Sequence, residues 1–326
     1  MSLARSLLIA GAGSTFAAPA KALRTLTSSP QGGWTQIQDP KAVHYNGTTY
    51  FAYAPDTGTT GDIVVAKYVH ATGVTTTHVL ASAYENPPDN HSAPAVIVRT
   101  SDRRVVVAAA HHAEVTSPSI WISTNPEDIS AFGSAITPDA SIGADQYTYM
   151  VLYEMTGVIY LFYRDYLSGP GTGRLAYSTS SDGGATWSSR VVLYTAAAGF
   201  VPYWRIIGDG GTRVDIFVTD KEPTVSKLGH FRLDTSTGKR YTSADVEITT
   251  ALPIGYADIT QVHAATCWSW GGSIDPLGRP ATILMVDTGS DNAVKVARWR
   301  SGAWQVDTIE ASVGGQLTGN QYASGC

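Results

Sequence analysis

The chain has 326 residues, a formal net charge of −5 and a charged fraction of only 15%. That balance provides no basic patch for nucleic acid, and no apolar run reaches bilayer-spanning length, so neither nucleic acid nor a membrane is expected as a partner. A hydrophobic fraction of 43% supports a sizeable core, and 32 Gly with 17 Tyr point to short strands and tight turns rather than helices.

Residues 1–32 form a separate N-terminal segment with a basic residue, a short apolar stretch and Ala18-Pro19-Ala20. Two readings stand side by side: a secretion signal, which makes the protein extracellular, or a docking arm onto neighbouring subunits of a virion or other assembly. From residue 33 to 312 one pattern recurs. Thr49–Ala54, Arg104–Ala109, Val158–Tyr163, Arg213–Val218 and Ala281–Val286 are apolar, β-rich runs whose first residues lie 55, 54, 55 and 68 apart. A further strand precedes each run: Asp39–Asn46, Ser92–Arg99, Thr148–Met155, Pro202–Asp209 and Cys267–Asp275. A third strand follows at Asp62–Val69, Ser119–Pro126, Gly173–Ser180, Lys227–Asp234 and Ala293–Arg300. The fourth is expected at Val74–Ala81, Gly133–Ala140, Ser189–Ala196, Ala244–Ala251 and Trp304–Ala311. Repetition at this period predicts an all-β fold, a β-propeller of five four-stranded blades, in a single domain. Residues 313–326 remain as a C-terminal tail. The two cysteines, Cys267 and Cys326, exclude a cysteine-built zinc site, and whether they pair is left open.

Between strands three and four of the third blade, Ser180-Ser181-Asp182-Gly183-Gly184-Ala185-Thr186-Trp187 fits the Asp-box pattern S-x-D-x-G-x-T-W. The segment resembles the BNR-repeat propellers, and its expected role is a structural turn with the Trp packed beneath it. A longer similarity covers blades one to four: Asp39–Ala54, Asn90–His112, Tyr147–Asp165 and Val201–Asp220 follow one another as in the BNR-repeat group that holds the propeller-type ulvan lyases. Those enzymes are seven-bladed and break uronic-acid polysaccharides by β-elimination with histidines, a tyrosine and an arginine. The resemblance implies catalytic roles here for His91 (in N-H-S-A-P), His111 (in A-A-A-H-H), Tyr149 (in T-Y-M) and Arg164 (in F-Y-R-D).

Propeller geometry brings inner-strand starts and second-strand ends to one face, so distant residues meet there. The inner-strand starts are Asp39, His91, Tyr149, Tyr203 and His263; second-strand ends include His111, Arg164 and Asp220. With His112, the residues Asp39, Tyr203, Asp220 and His263 are the candidate substrate-binding set. The chemistry suits these types. An arginine can grip a uronate carboxylate and stabilise enolate-like charge, while His and Tyr can remove the C5 proton and protonate the leaving oxygen. The partner expected on this reading is an acidic polysaccharide; no motif assigns a cofactor or a metal.

Other functions are weighed on the same residues. A sialidase needs three arginines on the sialate carboxylate and a Tyr–Glu pair, and no R-I-P segment stands near the first blade. An arabinanase-like hydrolase is suggested by Gln38-Asp39-Pro40, yet its second carboxyl group has no counterpart at Val201-Pro202-Tyr203, with Glu154 and Glu114 poor substitutes. The remaining alternative is a non-catalytic glycan-binding or structural propeller, such as a phage-tail component, with Trp204, Trp268 and Trp270 as loop aromatics for sugars. Arg164 beside Asp165 also has a bland reading, an ion pair that locks two loops.

Overall fold

A computed structural model describes residues 39–55, 60–85, 90–111, 118–138, 146–166, 172–220, 227–288 and 291–313. The N-terminal segment, His112 and all of the tail beyond Val313, with Cys326, lie outside the described residues. The first sheet runs β1 (Ala42–Tyr45), β2 (Thr48–Tyr53), β3 (Gly61–Val69) and β4 (Val74–Glu85), each antiparallel to the next. The second holds β5 (Ala95–Val98), β6 (Val105–Ala109) and β7 (Ser119–Ile122). The third is β8 (Gln146–Met155), β9 (Val158–Tyr166), β10 (Gly173–Ser180) and β11 (Val191–Thr195). The fourth contains β12 (Trp204–Gly208), β13 (Arg213–Thr219), β14 (Leu228–Asp234), β15 (Arg240–Thr242), β16 (Glu247–Ile248) and β17 (Thr260–His263). The fifth is β18 (Cys267–Ile274), β19 (Pro280–Asp287), β20 (Asn292–Arg300) and β21 (Ala303–Glu310). The fold is the expected all-β propeller, built from repeated meanders.

Four-stranded uniformity does not hold. In the second sheet the described part of the expected strand, Gly133–Pro138, forms no strand; single bridges, Ile120 to Ile136 and Ser123 to Phe132, occupy the fourth position. In the fourth sheet the position beside β14 is shared. β15 pairs with Phe231–Leu233, and β17 with Leu228–His230. The expected strand at Ala244–Ala251 reduces to β16, which pairs with β15 instead. This excursion to β16 and back is the extra length in the 68-residue spacing.

The apolar runs have a physical cause. Second strands β2, β6 and β13 are buried on both sides, so they lack the alternation of a half-exposed strand. Outer strand β4 is exposed or half-buried along nearly all its length and leaves Val74 and Val79 exposed. Sheets pack in chain order. Val65, Val98 and Val107 fill the space between the first and second, and Leu152, Leu161 and Val106 that between the second and third. Phe162, Trp204 and Val218 join the third to the fourth, and Phe217, Leu284 and Val286 the fourth to the fifth. Three hairpins close on Asn46-Gly47, Thr156-Gly157 and Ser301-Gly302 with positive φ at both residues, as the twist of a two-residue turn demands.

Candidate functional site

The Asp box is a turn, as its residue types require. Asp182 accepts from the Thr186 amide (2.9 Å), the Thr186 hydroxyl (2.6 Å) and Ser180 Oγ (2.8 Å), while Trp187 Nε1 donates to the Gly184 carbonyl at 2.9 Å. Thr186 and Ser180 together hold the Asp182 carboxyl down to about 2. Arg99 of the second sheet donates to the Gly183 carbonyl, so the turn also ties neighbouring sheets together.

At the other end of the strands, five sheets contribute to one polar and aromatic chain of contacts. It starts at Tyr149, where β8 bulges: Thr148 faces Arg164, Val151 faces Phe162, and the strand carries an extra residue between them. Tyr149 takes φ +61°, a left-handed conformation that costs a bulky residue about 1–3 kcal/mol and is typical of functional sites. The Arg164 guanidinium of β9 lies 4.3 Å from the Tyr149 ring centroid and 4.9 Å from that of Tyr203. Tyr203 continues to Trp268 of β18, ring centroids 4.7 Å apart. On the opposite flank the His91 ring lies 5.6 Å from Tyr149, and Thr148 Oγ1 donates to the His91 carbonyl at 3.3 Å. Ser92, next in the chain, donates to Glu85, whose carboxylate lies 3.5 Å from His111 Nδ1. His111 stacks on Tyr84 with centroids 4.0 Å apart. Tyr149 and Arg164 are 1% and 2% exposed, and the two histidines form the more open rim.

The four expected catalytic residues are thus linked, His111 through Glu85 and Ser92. Glu85, Tyr84 and Ser92 were not singled out in the sequence. Glu85 arrives by irregular pairing: the register shifts twice along β3 and β4, with Ala83 at φ +51°, so that Glu85 ends opposite Gly61. No local residue type announces that position.

Of the binding set, Tyr203 belongs to this cluster. Asp39 lies further down the inner strands. Its backbone bonds to Met150 and Leu152, and its carboxylate pairs with Arg205 of β12, which also donates to the Trp270 carbonyl at 3.1 Å. Burial raises the Asp39 pKa although Arg205 and Lys41 pull against it, and burial lowers Lys41. Asp220 is buried and accepts from the Lys227 amide at 2.9 Å, apart from the ring stack. His263 sits on β17 in the fourth sheet rather than at the opening of the fifth, and burial lowers its pKa, with Lys295 adding to the effect. His112 cannot be placed, since it lies outside the described residues.

Two expectations are corrected. The carboxylate of Asp165 is held by Arg174 Nε (2.5 Å) and Arg190 Nη1 (2.8 Å), on the side of the strand opposite the rings that Arg164 faces, instead of serving as an Arg164 lock between two loops. Trp204, Trp268 and Trp270 lie on β12 and β18, not in loops, and Trp204 is buried in the core between sheets. Among the described residues no group of three or more His, Cys, Asp and Glu could hold a metal ion, and no helix is long and apolar enough to cross a membrane.

Residues 48–312 match the family described as "BNR repeat-containing family member", so the chain belongs to that family. The chain is similar in structure to a PL25 polysaccharide lyase, an ulvan lyase bound to -[GlcA(1-4)Rha3S]-, with a TM-score of 0.68, 18% identity, and coverage of 87% of this chain and 74% of that one. A second structure of a PL25 ulvan lyase gives a TM-score of 0.68 at 19% identity over the same shares, 87% and 74%. The polysaccharide lyase Uly1 matches with a TM-score of 0.61 at 12% identity, covering 86% of this chain and 72% of its own. At these identities the likeness is one of fold. Among curated proteins none matches.

Proposed function

We propose that this member of the BNR repeat-containing family is a polysaccharide lyase that cleaves a uronic-acid-containing polymer by β-elimination. The observation that carries the reading is the arrangement of a guanidinium and a phenol of the third sheet and two imidazoles of the second in one linked cluster. In the reaction a base takes the C5 proton of the uronate, electrons move into a C4–C5 double bond, and the C4–O bond breaks. The leaving oxygen takes a proton from an acid. His91 and Tyr149 are the pair within reach of one another, and they serve as base and acid. Arg164, with its planar fork of donors, neutralises the carboxylate as enolate-like charge develops, and His111 assists from the rim. Glu85 fixes His111 from beneath. The products and substrate place the enzyme where such polymers lie, outside the cell.

The unsaturated product absorbs short-wavelength ultraviolet light that the intact polymer does not, so incubation with ulvan and other acidic polysaccharides tests the reading directly. A rise in absorbance that is lost in both His91→Ala and Tyr149→Phe is the expected result. Full activity in both variants refutes the assignment, and no rise with any uronate polymer refutes the reaction.

A second reading, a propeller that binds glycans without cleaving them, draws on the burial of Tyr149 and Arg164. In that case Tyr149, Arg164 and Tyr203 are a core stack, and the histidine rim alone meets sugar. Polymer retention on an affinity gel without an absorbance rise separates this reading from catalysis.

A further inference from the structure

A cavity of about 270 Å³ opens on the opposite face, between the fourth and fifth sheets. Arg213 starts β13 and Thr219 ends it, so the cavity and the cluster around Tyr203 stand at opposite ends of that strand. With a rise of ~3.3 Å per residue, this separates them by about 20 Å. Its walls carry three guanidiniums, Arg213, Arg232 and Arg279, against one carboxylate, Asp245, and the half-buried indole of Trp299 lines one side.

The back wall is rigid. Trp304 Nε1 donates to Ser243 Oγ at 3.0 Å, Ser243 meets His230 Nδ1 at 2.8 Å, and His230 Nε2 meets Asp215 at 2.9 Å. Asp215 also receives Arg213 through Nε (2.6 Å) and Nη2 (2.8 Å). These groups are saturated by one another and hold the Arg213 plane in place. The arginines of the lining do not use all their donors on these carboxylates. Each guanidinium has five N–H groups. Arg232 bonds Asp245 through Nη2 (2.7 Å), and its buried Nε has no hydrogen-bond partner among the described residues. Arg279 bonds Asp275 through Nε (2.8 Å) and Nη2 (2.6 Å), which leaves Nη1.

From this we infer that the cavity is a second binding site, which takes one ring of an acidic sugar, carboxylated or sulfated. The volume lies just below the ~300 Å³ at which pockets for larger ligands begin, which suits a single ring. Each guanidinium is already paired with one carboxylate, Asp215, Asp245 or Asp275, so selection comes from the donors left over: fork-shaped N–H groups suit the planar carboxylate or the sulfate oxygens better than a neutral hydroxyl. The Trp299 face supplies the apolar contact that a bare anion does not need but a sugar ring uses. The assignment stands on the cavity's own guanidinium donors and its indole wall and does not depend on the reaction at the other face.

The test is saturation-transfer NMR on the full chain with sodium glucuronate, glucose 6-sulfate and glucose as probes. Expected is saturable binding of one or both acids at least about tenfold tighter than glucose, the two acids telling carboxylate from sulfate recognition. A charged hydrogen bond of ~1.5–3 kcal/mol corresponds to that factor or more. Trp299→Ala and Arg232→Gln should each weaken binding at least about tenfold. Arg279→Gln, on an exposed hairpin, is the variant that leaves the core untouched and should do the same, whereas Arg164→Lys should have no effect. The inference is overturned if neither acid binds, if glucose binds as well as the acids, or if binding survives Arg279→Gln in folded protein. It is equally overturned if Arg164→Lys alone abolishes binding, since the sugar then sits at the first site.

Discussion

Replacing Arg164 by Lys separates charge from shape at the centre of the cluster. Both ring centroids, at 4.3 Å and 4.9 Å, lie inside the ~6 Å reach of a cation–π contact, and a desolvated contact contributes about 2 kcal/mol. Lysine keeps the charge but loses the plane that lies between two rings, so one of the two contacts goes. The stability loss is then about 2 kcal/mol, and at ~2–4 °C per kcal/mol the melting temperature falls by roughly 4–8 °C. Activity should fall much further. Loss of a preorganised donor to developing charge costs ~2.7–4 kcal/mol, or roughly 10²–10³ in kcat. Thermal unfolding followed by circular dichroism gives the first quantity, and product absorbance on ulvan at 25 °C, where the variant remains folded, gives the second. Tyr149→Phe and the double variant complete a cycle. If the two side chains serve one step, the double variant should be little worse than the poorer single one. The reasoning fails if the folded lysine variant keeps kcat/KM within about threefold of the parent, well short of the loss expected from a missing donor.

Three further predictions concern the frame. Asp165→Asn leaves Arg174 and Arg190 largely buried without their carboxylate, and should lower stability by about 3–5 kcal/mol in denaturant unfolding; a loss under 1 kcal/mol would show that the pairs matter little. Asp182→Ala removes the acceptor for three bonds at an exposed turn, so a loss of about 1 kcal/mol with unchanged activity is expected, tested by paired melts and assays. Because the folded-state pKa of Asp182 is depressed to about 2, its stabilisation is present above the unfolded value near ~3.9 and is lost as pH falls toward 2. His230 is held neutral by burial, against the pull of Asp215, so its folded pKa lies below the unfolded value of ~6.5. An unfolded chain then binds a proton that the native one refuses, and stability should drop as pH falls from about 7 through that value. Melts from pH 8 to 5 should show this slope, and His230→Gln should flatten it; an unchanged slope refutes the assignment.

Much of the fold was legible because second strands are buried on both sides. Thr49–Ala54 and Arg104–Ala109 stand out as runs for that reason, and their spacing exposes the repeat. The fourth positions were not legible in the fourth blade. Arg240–Thr242 is short and polar, while Ala244–Ala251 alternates like a strand yet buries little beyond Ile248. At the site, His91, Tyr149, Arg164 and Tyr203 could be found because the repeat places strand ends on one face. Glu85 could not, since its position depends on register shifts and on the left-handed turn at Ala83, which local residue types do not announce. Trp204 shows the opposite error: an aromatic before a strand core reads as available to sugar, but the sheet interface claims it.

Strand β9 explains why the cluster needs a rigid frame. Successive residues point to opposite sides, so Asp165 anchors the strand through two arginines behind it while Arg164 faces the two tyrosines in front. The anchor lies in the same sheet, and the target rings come from β8 and the segment before β12, so any slide of β9 would break both at once. A guanidinium held this way needs little reorganisation when charge develops beside it, the property that electrostatic catalysis requires. The strained Tyr149 backbone fits the same logic. Its left-handed conformation persists because Val151 and Leu152, just beyond the bulge, are locked into the core, and the strain turns the phenol toward His91 and Arg164 instead of along the strand.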